Sequence, residues 1–183
     1  YFGDTGRVPY GTRSRDTIKK YALQDERFLL SQGVKLIVAA CGTVSSVAAD
    51  TADLLPIPFI EVVSHSVNAA IDATKNKKIG ILATSATINS SAHKRQILKL
   101  VSDATVVECS GTLLVPLVEE GWTGDGDTVA LETLKRYLKP IIDAGCDTLI
   151  LGCTHFPVLS GAIRRVVGQD VTLINMGVST ALA

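Results

Sequence analysis

Short apolar runs alternate with longer amphipathic stretches along almost the whole chain. The runs are "KLIVAAC" (Lys35 to Cys41), "IPFIEVV" (Ile57 to Val63), "KIGILAT" (Lys78 to Thr84), "TVVECS" (Thr105 to Ser110), "TLILGC" (Thr148 to Cys153) and "VTLINM" (Val171 to Met176). They are rich in β-branched residues and apolar on both faces, as parallel strands covered by helices must be. Between them the spacing predicts helices. Ile18 and Ala22 are four apart, and Tyr21/Phe28 and Ala22/Leu29 are seven apart, which makes one apolar stripe. Leu131, Leu134, Leu138, Ile141 and Ile142 make another, with a kink expected at Pro140. Helix signals also follow "ACGT" and "LGCTHFP". The alternation predicts an α/β fold with doubly wound, mainly parallel sheets.

One layout occurs twice. "GVKLIVAACGT" (Gly33 to Thr43) and "GCDTLILGCTH" (Gly145 to His155) each follow an amphipathic helix, with Gly eight residues before a Cys that ends an apolar strand. The likeness suggests a duplicated half, and it puts a thiol at each strand tip.

Composition narrows the partners. Eighteen basic and eighteen acidic residues cancel among 183, and no basic block appears, which argues against a nucleic-acid or anionic-membrane partner. The apolar runs fall far short of the roughly 20 residues a membrane span needs. The start "YFGDTGRVPYG" has no signal-peptide pattern, and the sole Met is Met176. The chain opens on what reads as a strand end and stops at "LINMGVSTALA", where a helix should begin; pieces are expected to be missing at both ends. Four cysteines without a C-x-x-C pair predict reduced thiols and a cytoplasmic setting.

In open α/β sheets ligands bind beyond the carboxyl ends of the strands. Cys41 and Cys153 stand there, each before residues that can open a helix. Helix N-termini stabilise a thiolate, lower its pKa and bind carboxylates. Two such units face to face would form a small anion pocket with a thiol on either side. A racemase must take a proton from one face of a carbon and return one to the other, and a matched thiol pair supplies both groups.

The residues alone leave other readings open. Cys is often simply a small buried hydrophobe, the reading given to Cys109 and Cys146. Cys153 and His155 could start a metal site but lack further ligands nearby. A Cys–His hydrolase would leave the second thiol without a role. His65 and His93 read as surface or capping residues. Thr43 could be an N-cap, Thr84 and Thr87 loop hydrogen-bonders, Tyr10 a turn residue, and Glu119 an exposed helix-end charge.

Five segments in order carry a resemblance: "YFGDTGRVPYGTRS", "AACGTVSS", "ILATSAT", "VPLVEEG" and "LILGCTHFPVL". Together they resemble the glutamate racemases of the cofactor-independent aspartate/glutamate racemase superfamily. The resemblance implies two similar α/β lobes facing across a central cleft, the first formed by residues 1–75 plus 172–183 and the second by 76–171. Cys41 and Cys153 would be the acid/base catalysts, acting on the D- and L-enantiomer respectively, and His155 would assist Cys153. Asp4 and Glu119 would support proton transfer or bind the ammonium. Pro9, Tyr10, Gly11, Gly42, Thr43, Thr84, Thr87 and Thr154 would line or bind the substrate. No cofactor and no metal are implied, and a homodimer is expected. The chain departs from the pattern at three places. The family's D-S-G loop would precede residue 1, Gly42 stands where the first motif usually has Asn, and Asn175 stands where Asp is frequent. An aspartate or other amino-acid racemase of the same superfamily is the nearest alternative, and His155 favours glutamate over it; a non-catalytic ligand-binding fragment is the alternative from a different class.

Overall fold

All six expected strands form, and every neighbouring pair runs parallel. The computed structural model describes residues 1–183. β1 (Ile37–Ala39) and β2 (Phe59–Glu61) make a two-stranded sheet. β3 (Lys78–Ala83), β4 (Thr105–Ser110), β5 (Thr148–Gly152) and β6 (Thr172–Asn175) make a four-stranded one in the order β4-β3-β5-β6. Ala83 pairs with both Ser110 and Gly152, so the carboxyl ends of three strands share one edge.

Helices cover both faces of the larger sheet, which explains the unbroken apolar runs. On one face α7 (Thr128–Asp143) and α8 (Ser160–Val167) set Leu134, Leu138, Ile141 and Ile163 against Leu82, Leu149 and Leu151. Cys109 and Cys146 lie in this core, as expected. Helix α7 runs through Pro140 to Asp143. Buried aliphatic side chains of this size contribute about 1.5–3 kcal/mol each. On the other face α3 (Val62–Ala73) and α5 (Ala92–Leu100) set Val63, Val67 and Ile97 against Ile79, Ile81 and Ile150.

The smaller sheet packs with α1 (Arg15–Ser31) and α2 (Gly42–Val47), around Ile18, Ala22, Val47 and Ala48. Ser14 caps α1, its hydroxyl accepting from the Thr17 N–H. The two repeated units begin identically. Gly33 (φ +72°) follows α1 and Gly145 (φ +68°) follows α7, each in the left-handed conformation that lets the chain leave a helix and enter a strand.

The lobe boundaries differ from expectation. Residues 62–73, placed with 1–75 in the first lobe, form α3, and α3 packs on the four-stranded sheet. Residues 172–183 do not return to the first lobe: β6 pairs with β5, and Met176 joins the core beneath α3. The first follows because α3 links strands of two sheets and must cover one of them; the second follows because α8 is a crossover that returns the chain beside β5 in the same sheet. No helix is long and apolar enough to cross a membrane.

Candidate active site

Cys41 occupies the N-cap position of α2, with extended backbone (φ −85°, ψ 120°). The N–H groups of Val44 and Thr43 and the Thr43 hydroxyl lie near enough to favour charge on its sulfur, without forming a side-chain cap hydrogen bond. Cys153 follows β5 and is 7% exposed. The backbone of His155 and both the hydroxyl and the backbone of Thr154 favour charge on that sulfur. The thiols lie within electrostatic reach, since charge on Cys41 disfavours the Cys153 thiolate.

The expected lowering of the thiol pKa values does not occur. Burial pushes Cys153 up to about 12, and it raises Cys41 against the opposing N–H groups. Two or three dipoles do not offset removal of a thiolate from water. With nothing bound, both groups are therefore thiols. A ligand carrying positive charge between them would favour the thiolate.

The first-motif departure has a packing cause. A Cβ on Gly42 would lie 2.5 Å from the Gly152 carbonyl oxygen and 2.8 Å from the Met176 methyl carbon. Gly42 and Gly152 each adjoin a thiol residue, so the absence of a side chain lets the two cysteine loops meet backbone to backbone.

His155 stands on one side only. Its Nδ1 is 3.7 Å from the Cys153 sulfur, and its Nε2 is 2.5 Å from Glu119 Oε1 at the end of α6 (Leu114–Glu119). Glu119 therefore meets Cys153 through His155, in an order that can orient the ring or pass a proton.

The threonines form a continuous array. Thr43 Oγ1 is 2.9 Å from Thr84 Oγ1, Thr84 donates to Thr87 Oγ1 at 3.0 Å, and Ser46 reaches Thr87 at 3.3 Å. Thr84 also caps α4 (Ser85–Ser90) by accepting from the Thr87 N–H. Thr43 and Ser46 belong to α2, so the array ties the smaller lobe to the larger beside Cys41. Thr154 is exposed next to Cys153.

Gly11 joins this wall. Its carbonyl accepts from the Ala86 N–H at 3.1 Å, and a Cβ there would come within 2.6 Å of Thr84 Cβ. Pro9 is exposed in the same loop, after a cis Val8–Pro9 bond. Tyr10 packs against the core of the smaller lobe and hydrogen-bonds Asp4 and Asp25. The structure commits Asp4 to Arg7 and Tyr10, not to either thiol. Burial opposes its charge, yet Arg7 and Tyr10 hold it below the usual carboxylate range. Spacing offered no signal for Ser46, Arg7 or Asp25. His93, read as a surface or capping residue, is 1% exposed on α5, with Nε2 unpartnered.

Two parallel α/β sheets, with Cys41 and Cys153 just past strand ends and the loops beside them meeting at Gly42 and Gly152, define the class: a two-lobed α/β protein. The Asp/Glu/hydantoin racemase family model matches residues 4–181, and the chain belongs to that family. It is 42% identical over 176 residues to a glutamate racemase of Syntrophus aciditrophicus, covering 96% of this chain and 64% of the relative. It is 45% identical over 183 residues to one of Neisseria meningitidis, covering 99% and 67%. The crystal structure of a Francisella tularensis glutamate racemase in complex with D-glutamate superposes with a TM-score of 0.92 at 37% identity, covering 100% of this chain and 67% of that one. The chain thus spans about two thirds of the length of these relatives.

Proposed function

We propose that the protein containing this chain interconverts L- and D-glutamate. The observation that carries the reading is the thiol pair: equivalent positions of a repeated helix–glycine–strand unit, brought to backbone contact at Gly42 and Gly152. One thiolate takes the α-proton and the opposite thiol delivers another, with the roles exchanged in reverse. The substrate ammonium favours the thiolate that its carboxylates alone would disfavour. Cys153, assisted by His155 and Glu119, serves L-glutamate, and Cys41 serves D-glutamate. Thr43, Thr84, Thr87, Thr154 and the Pro9–Gly11 loop surround the amino acid, with Gly42 as the floor between the thiols. No cofactor or metal takes part in this scheme.

The glutamate racemases among the relatives, and His155 beside Cys153, favour glutamate over aspartate. The family relationship supports a supply of D-glutamate for peptidoglycan in a bacterial cytoplasm, and a homodimer as the working assembly. Circular dichroism of the complete gene product with each enantiomer tests the substrate. Glutamate should lose its signal fully while aspartate stays unchanged; the reverse result would refute the assignment.

A further inference from the structure

The segment before α1 is tied to that helix by a polar network. Arg7 Nε donates to Asp4 at 2.8 Å, Arg7 Nη1 donates to Gln24 Oε1 at 2.6 Å, and Arg7 Nη2 pairs with Asp25. The guanidinium lies 4.4 Å over the Tyr21 ring, whose centroid is 5.6 Å from that of Tyr10. The Tyr10 hydroxyl meets Asp4 Oδ2 and, at 3.1 Å, Asp25 Oδ2. A phenol with one proton between two carboxylates, bridged by one guanidinium, is held from several directions. Charge-assisted contacts of this kind are about twice as strong as neutral ones.

The next residue faces the site. Gly11 bonds Ala86 and abuts Thr84, and Thr84 contacts Thr43, two residues after Cys41. Tyr10 and Gly11 share one planar peptide unit, so the anchoring of Tyr10 limits where Gly11 can sit against Thr84. The path runs from α1 through Asp25, Arg7 and Asp4 to Tyr10, Gly11 and the threonine array.

We propose that Asp25, with Arg7 and Asp4, is a positioning residue of the site: it anchors Tyr10 so that Gly11 and Thr84 keep the spacing that receives the amino acid. The inference rests on the racemase reading. It also gives Asp4 a different task from proton transfer.

The test uses Asp25→Asn, Tyr10→Phe and the double variant in the complete gene product, with KM and kcat for both enantiomers. Loss of one charge-assisted bond should raise KM about tenfold while kcat changes less than about threefold. The double variant should match Tyr10→Phe alone, because both changes cut one strut. A readout independent of turnover accompanies these. Burial, then Asp4 and Asp25, raise the Tyr10 phenol, so an ultraviolet titration should show one tyrosine that resists alkaline ionisation and that Tyr10→Phe lacks. Asp25→Asn should bring it down toward the others.

Four results would overturn the strut: a KM within about twofold of the parent in Asp25→Asn, additive effects in the double variant, a loss confined to kcat, or an unmoved titration. Failure of the unmutated protein to racemise glutamate would instead overturn the functional reading.

Discussion

Replacing His93 by Phe should flatten the acid side of the stability curve. His93 lies on α5, which packs against α3 and β4, and burial alone lowers its pKa from 6.5 to about 4. Its Nε2 is buried without a partner, so a proton there would gain no hydrogen bond inside the fold. The unfolded chain, whose histidine titrates near 6.5, binds more protons than the folded one between those values. Stability from this group is therefore complete above the unfolded value and is lost as pH falls through 6.5 toward 4. The full shift corresponds to about 3 kcal/mol, and about 2 kcal/mol of it is lost between about pH 7 and pH 5. For a chain of this size that is a fall of about 4–8 °C in Tm.

The assay is thermal or urea unfolding of the parent and His93→Phe over that pH range. Phe offers an aromatic of similar size with nothing to titrate, so the pH slope reports histidine even if the variant starts with a different stability. The carboxylates that titrate in the same range are common to both proteins and cancel in the difference. Parallel curves for the two proteins, within about 0.5 kcal/mol, would refute the reasoning.

Other substitutions separate backbone strain from contact. Gly33→Ala and Gly145→Ala meet nothing closer than 3.8 Å and differ only in conformation, so each should cost about 1 kcal/mol in urea unfolding. Gly42→Ala meets a backbone carbonyl at 2.5 Å and should cost more, about 1–3 kcal/mol, without relief from Met176→Ala. His155→Asn should lower kcat/KM about 100-fold, equally for both enantiomers because the equilibrium constant of a racemisation is one. The asymmetry of the site should appear instead in the primary isotope effect, which should rise more for α-deuterated L-glutamate than for the D-form.

The strands were legible because burial on both faces leaves a continuous apolar run in the sequence. The thiol pair was legible for a different reason: a repeated layout placed Cys41 and Cys153 at equivalent strand tips. What escaped depends on long-range packing. An amphipathic helix such as α3 shows that it has a buried side but not which sheet it covers, and β6 carries no mark of its neighbour. The thiol pKa values also escaped, since helix N-termini are visible in sequence whereas the depth at which a sulfur lies is not. Asp25 and His93 belong to the same class, because their surroundings come from elements remote along the chain. Asp4 shares a motif with Tyr10, yet only its hydrogen bonds reveal that it braces the loop.

The central claim, two thiols acting from opposite faces of one carbon, is tested most directly by isotope partition at low conversion. L-Glutamate racemised in heavy water should yield D-glutamate fully deuterated at the α-carbon, while recovered L-glutamate still carries protium. Protium retained in the product, or deuterium shared equally between product and recovered substrate, would mean that a single base serves both faces and would contradict the account.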